Sequence, residues 1–216
     1  ISISIGQGEV TLTPLQIANL GATIANRGYY YVPHVVRKVE GEPLDTLYRN
    51  RHYTKASRRA YDYVVAGMRS SALKGTCKML SRLPFEACGK TGTAQNHGRD
   101  HSVFMGFAPM NNPKIAIAVY VENGGWGADF GVPIGGLMME QYLTGKLSPS
   151  AEAQAAAMQK RRIGYGPRFP GQEKAKAAKK KAEAKKKAKE TAEKDSKDHN
   201  VPEAIAKPSE GNAVAP

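Results

Sequence analysis

The chain has 216 residues, 41% of them hydrophobic, and a formal charge of +13. That length allows one compact domain and at most two. Its two cysteines, Cys77 and Cys88, fit no metal-binding spacing, and no apolar run reads as a signal peptide or a membrane span.

Residues 1–5 alternate Ile and Ser, which predicts a strand or extended lead-in, and the chain opens inside that alternation as a piece cut from a longer one would. Gly6-Gln7-Gly8 breaks it with a turn. Thr13-Pro14-Leu15-Gln16 is a helix start: Thr13 as N-cap, Pro14 where a missing N–H costs nothing, and Gln16 closing a capping box. The helix should run to about Asn26, with Gly28 as its stop. Its Leu, Ile and Ala residues cover more than one face, which predicts a buried helix.

Tyr29-Tyr30-Tyr31-Val32 is β-prone and ends at Pro33. His34 reads as a packed, hydrogen-bonded residue rather than a ligand. Residues 37–56 read as an exposed connector. A second helix is predicted from Ser57 to about Leu73, with Tyr61, Val64, Val65, Met68 and Ala72 as its buried stripe. Cys77 to Phe85 is expected to be loop. Whether Cys77 and Cys88 pair is open in the sequence, with buried free thiols the plainer reading.

Three strands are then predicted, at about Glu86–Gln95, His101–Ala108 and Lys114–Glu122. Their short connectors force antiparallel neighbours, and the last two are apolar on both alternations, so helices should cover both faces. Gly124 to Gly131 is a tight loop in which Trp126 either lines a groove or anchors the chain. Pro133 starts a final apolar helix closed by Gly145.

Residues 1–158 carry a formal +5 and residues 159–216 a formal +8. Residues 146–216 are rich in Ala, Lys and Glu and poor in large apolar side chains, which predicts a disordered basic tail following a folded unit at 1–145. Glu183/Lys187, Glu190/Lys194 and Glu193/Lys197 are i,i+4 pairs able to support transient helix at about 0.2–0.5 kcal/mol each. The tail can attract polyanions, but it has no aromatic platform or groove-reading element, so no specific nucleic-acid partner is expected.

The first strand carries Gly89-Lys90-Thr91-Gly92-Thr93-Ala94-Gln95, which groups a cation, two hydroxyls and bare backbone. Lys90 and Thr93 are the catalytic candidates: a fixed positive charge favouring an anionic substrate end, and a backbone N–H able to donate to an oxyanion. Thr91, Gly92, Thr93, Ala94 and Gln95 form the substrate-binding candidate. The hydroxyls of Thr91 and Thr93 suit a carboxylate, and Gly92 lets a ligand backbone lie along the strand as an added edge. Lys-Thr-Gly is a signature tripeptide of penicillin-binding proteins and β-lactamases.

Six blocks in order make the resemblance specific. They are Ser4-Ile5-Gly6-Gln7-Gly8; Thr13-Pro14-Leu15-Gln16; Asn26-Arg27-Gly28 with Pro33-His34-Val35-Val36; Gly89 to Gln95; His101 to Pro109; and Asn112-Pro113-Lys114-Ile115-Ala116 leading to Val121-Glu122-Asn123-Gly124-Gly125. Residues 1 to about 145 resemble the C-terminal part of the transpeptidase domain of class B penicillin-binding proteins, in particular the elongation type, penicillin-binding protein 2. The resemblance implies an α+β fold, the penicillin-recognising serine β-lactamase-like sandwich of an antiparallel sheet flanked by helices. It also implies a peptidoglycan D,D-transpeptidase acting through a serine acyl-enzyme that β-lactams also form. It implies no cofactor and no metal. The implied partners are peptidoglycan stem peptides, β-lactams, a glycan polymerase and membrane proteins of the elongation complex. The implied location is the bacterial inner membrane, with the catalytic domain in the periplasm and the anchor outside these residues.

The departure from the family pattern is large. The family's Ser-x-x-Lys and Ser-x-Asn motifs come earlier in its chain. Here only Ser71 has a Lys three residues on, Lys74, inside a helix and in the wrong block order, and Ser-x-Asn is absent. The chain alone is therefore expected not to catalyse. Other readings are a penicillin-binding sensor or non-catalytic scaffold, and a serine β-lactamase, which would need a deacylating base.

Overall fold

A computed structural model describes residues 2–164. The tail pairs Glu183/Lys187, Glu190/Lys194 and Glu193/Lys197, and the disorder expected of residues 165–216, lie outside the described residues.

Ser2–Ile5 is a 3-10 turn rather than the expected strand. No strand among the described residues lies beside it to pair, and Gly6 closes it by donating its N–H to Ile3 O at 3.0 Å. α1 spans Pro14–Ala25 with the predicted capping box complete at Thr13 and Gln16. Only its second half is buried. Leu15 and Leu20 are 61% and 46% exposed, correcting the expectation of a helix buried all round. The reason is the packing: α1 lies on the sheet through its C-terminal half, where a Cβ at Gly21 would come within 3.2 Å of Met105.

β1 (Tyr29–Tyr30) and β2 (His52–Tyr53) form a small antiparallel pair, and α2 occupies Thr46–Arg49 inside the stretch read as connector. His34 is hydrogen-bonded, through Nδ1 to Val32 O at 2.8 Å, and its ring lies 5.0 Å from that of Tyr48, on an exposed face. α3 spans Arg58–Lys74, capped by the Ser57 hydroxyl. Its stripe buries Val65, Met68 and Ala72, while Val64 faces outward. A 3-10 helix at Lys78–Arg82 stands where loop was expected.

β3 (Cys88–Ala94), β4 (His101–Ala108) and β5 (Ile115–Val121) form one antiparallel sheet in the order β3-β4-β5. α4 spans Gly131–Thr144 and ends at Gly145, whose φ of 78° is the left-handed stop expected of a glycine. Two cores confirm that both faces are covered. One joins Ile24, Val65, Met68, Cys88 and Phe107 beneath α1 and α3. The other joins Leu80, Phe104, Val132 and Met139 beneath α4 and the 3-10 helix.

The folded unit continues past the expected boundary at 145. α5 spans Pro149–Gln159, with Ser148 as N-cap and Ala151 buried. Small side chains give this helix no strong apolar pattern, and it docks through its N-cap and its middle: Ser148 N–H donates to Glu140 at 2.9 Å, and Gln154 reaches the Met79 sulfur at 3.0 Å. No helix among the described residues is long and apolar enough to cross a membrane.

Candidate active site

β3 is the edge strand that carries the motif, and pairing with β4 fixes which way each residue turns. Thr91 lies opposite Phe104 and Thr93 opposite Ser102, so both threonines share the α4 face, while Lys90 lies opposite Met105 on the α1/α3 face. A Cβ on Gly106 would meet Cys88 O at 2.7 Å, and one on Gly127 would meet Gly92 O at 2.8 Å and Val103 O at 2.5 Å. Those carbonyls therefore point into the β3–β4 seam. By alternation, the N–H and C=O groups of Thr91 and Thr93 turn to the outer edge, where no described strand pairs with them. That edge is a template for an extended ligand.

Lys90 is exposed, and its Nζ donates to Thr91 O at 2.5 Å, so the ammonium already lies along that edge. The Thr91 hydroxyl is bonded to the Thr76 hydroxyl at 2.7 Å. Of the two hydroxyls expected to face a carboxylate, that of Thr93 is the exposed one, and Thr91 acts together with Thr76. Gln95 is exposed and Ala94 half-buried at the strand's far end.

The loop from β5 to α4 is clamped onto this strand. Ser102, fully buried opposite Thr93, donates to Trp126 O at 2.8 Å and accepts from Gly131 N–H at 3.0 Å. Asn123 N–H donates to His101 Nδ1 at 3.0 Å, and Asn96 donates to the Asn123 side chain at 3.0 Å. Gly127 packs so closely on Thr91 and Gly92 that any side chain there would collide with backbone. The Trp126 ring is 73% exposed, so the loop is held by its backbone and not by the indole.

The structure removes the other nucleophile candidates. Ser71 turns towards the Cys77 thiol, and Lys74 is exposed at the end of α3. Both cysteines are free and buried. Burial pushes the Cys77 thiol up, outweighing hydrogen bonds from Ser71 and Thr76 and the Lys90 charge. Burial also pushes Cys88 up to about 11 against the charges of Arg69 and Arg27. Neither offers a thiolate near neutral pH. At pH 8 both should resist a chromogenic disulfide reagent in the native chain and react in denaturant. A thiol raised in the folded state stays neutral after its unfolded counterpart ionises. The Cys88 contribution therefore holds below about pH 9 and is lost as pH rises towards about 11. Urea denaturation at pH 8 and 10 should show that decline, and Cys88→Ala should reduce it. No group of three or more His, Cys, Asp or Glu poised for a metal occurs among the described residues.

Thr76 and Gly127 were not singled out as functional residues from the sequence. Thr76 reaches Thr91 only through the fold. Gly127 was visible only as one glycine in a glycine-rich run.

Residues 1–140 match the penicillin binding protein transpeptidase domain family. The chain is 38% identical over 144 residues to peptidoglycan D,D-transpeptidase MrdA of Acinetobacter baumannii, covering 57% of this chain and 21% of that protein. Penicillin-binding protein A of Mycobacterium tuberculosis, solved as a ceftriaxone acyl-enzyme, is 32% identical with a TM-score of 0.57, covering 66% of this chain and 35% of that one. The Helicobacter pylori penicillin-binding protein PBP2, solved with MreC, is 27% identical with a TM-score of 0.51, covering 68% and 27%. The chain spans about a fifth to a third of the length of the curated relatives it matches.

Proposed function

Because this chain belongs to the penicillin binding protein transpeptidase domain family, we propose that it forms the substrate-binding wall of an elongation-type peptidoglycan D,D-transpeptidase. The observation that carries the reading is the outer edge of β3, where the Lys90 ammonium lies at the exposed backbone of Thr91 and Thr93, with the exposed Thr93 side chain on the adjoining α4 face. A stem peptide would add to this edge as a strand. The Thr93 N–H would donate to the oxyanion of the scissile amide, and the Thr93 hydroxyl, with Thr91 and Thr76 behind it, would meet the terminal carboxylate. Lys90 would supply the positive charge that holds the anionic end and eases deprotonation of an attacking hydroxyl.

The attacking serine and its base belong, in this reading, to a segment outside these residues, since the chain has no suitably placed Ser-x-x-Lys and no Ser-x-Asn. The serine opens the D-Ala-D-Ala amide, keeps the acyl group as an ester while the terminal D-Ala leaves, and passes it to an amine of a second stem. β-Lactams acylate the same serine. A glycan polymerase and membrane proteins of the elongation machinery are the partners, and the site works in the periplasm of a membrane-anchored protein. The test is labelling with a fluorescent penicillin. The longer protein should be labelled covalently on a serine outside this segment, and the 216-residue chain alone should not be. Labelling of a serine within the chain would overturn the division of the site.

A further inference from the structure

Residues past the family match return to the candidate site. After α5, Arg161 turns back to the loop between β5 and α4. Its guanidinium lies 4.0 Å over the buried Phe130 ring and donates to the Asp129 carbonyl. Asp129 N–H in turn donates to Trp126 O at 2.9 Å, and Gly127 O accepts from Val132 N–H at 2.9 Å. Arg161 thus holds the segment whose other face, at Gly127, lies against Thr91 and Gly92. The middle of α5 is fixed near the start of β3: Gln154 reaches Met79 in the 3-10 helix that leads into that strand.

We propose that α5 and Arg161 form a strap that fixes the Trp126–Phe130 loop on the motif strand, with Arg161 as a positioning residue for acylation. Arg161 touches no ligand-facing group of β3 and acts through the loop. A guanidinium can stack on Phe130 and donate in its own plane at once, whereas an ammonium keeps the charge but loses the flat stack. The acylation part of the proposal rests on the function proposed above.

The chain's single tryptophan, Trp126, lies inside the strapped loop and reports on it directly. Arg161→Ala should lower the steady-state fluorescence anisotropy of Trp126 by about a quarter to a half, as a loosened loop turns faster, and slow acylation of the longer protein by about threefold to tenfold, with the unfolding midpoint unchanged. Arg161→Lys should fall between wild type and Arg161→Ala in both readouts. Unchanged anisotropy in Arg161→Ala overturns the strap. Lowered anisotropy with wild-type acylation overturns the positioning role and leaves the proposed function intact. A wild-type protein that penicillin never labels overturns the proposed function instead, and the anisotropy still decides whether Arg161 holds the loop.

Discussion

Replacing Lys90 by Ala should cut β-lactam acylation of the longer protein by ~10²–10³-fold, the loss typical of removing one preorganised charge or donor from an acyl-transfer site. The fold does not depend on this side chain. Lys90 is exposed, and its hydrogen bond is to the carbonyl of its own neighbour, Thr91, so stability should move by about 0.5 kcal/mol or less. The ammonium lies at the edge where a strand-like ligand would compete for Thr91 O. A bound ligand excludes water there and strengthens the attraction between Lys90 and an anionic terminus. Lys90→Arg should not restore the rate, because a planar fork cannot take the place of a compact ammonium beside a β-edge. Stopped-flow acylation with a chromogenic β-lactam and a thermal melt check both halves. Acylation within about threefold of wild type would remove Lys90 from the site.

The sheet was legible because its signals are local. Val103, Phe104, Met105 and Phe107 on one strand and Ile115, Ile117, Val119 and Val121 on the next are apolar runs bounded by turn residues, and the observed register joins them across short connectors. The same locality explains the misses. Ile-Ser alternation at residues 1–5 reads as a strand, but a strand also needs a partner, and none lies beside it among the described residues. α5 carries mostly alanines, so its docking through Ser148 and Gln154 leaves no hydrophobic period to read. At the site, the motif strand could be found from Lys90 to Gln95, yet the hydroxyl that engages Thr91 comes from Thr76 and the clamp on the facing loop from Arg161. Those partners meet only after the chain folds. The glycines of α4 fall between the two cases. Gly131 and Gly135 are four apart and so share a helix face, but what they face, the Phe104 Cβ and backbone at Gly131 and the Phe104 ring at Gly135, is set by the sheet.

That ring sets the second large effect. Phe104 is fully buried, and glycines close on it from both sides. A Cβ at Gly135 would fall 2.4 Å from its Cε1, one at Gly106 2.5 Å from its Cζ, one at Gly89 2.7 Å from its Cε2 and one at Gly131 2.8 Å from its Cβ. The ring has no direction in which to yield, since moving away from α4 drives it into the backbone of β3 and β4. Gly135→Ala should therefore destabilise the folded unit by about 3 kcal/mol, the upper end of overpacking costs, although alanine is the better helix former. Against a total stability of about 5–15 kcal/mol this is a large share, and the unfolding midpoint should fall by roughly 6–12 °C. The displaced α4 would carry the Gly127–Gly131 loop off β3, so acylation of the longer protein should fall with it. Phe104→Ala supplies the decisive control, because it removes both Cε1 and Cδ1, which lie 2.4 and 2.5 Å from the Gly135 Cβ position. Alone it leaves a void and destabilises, but combined with Gly135→Ala it removes the atoms that collide, so the double variant should be more stable than the sum of the two losses by about 1–2 kcal/mol. Strictly additive losses in urea denaturation would mean that Gly135 is required for some reason other than the ring it faces.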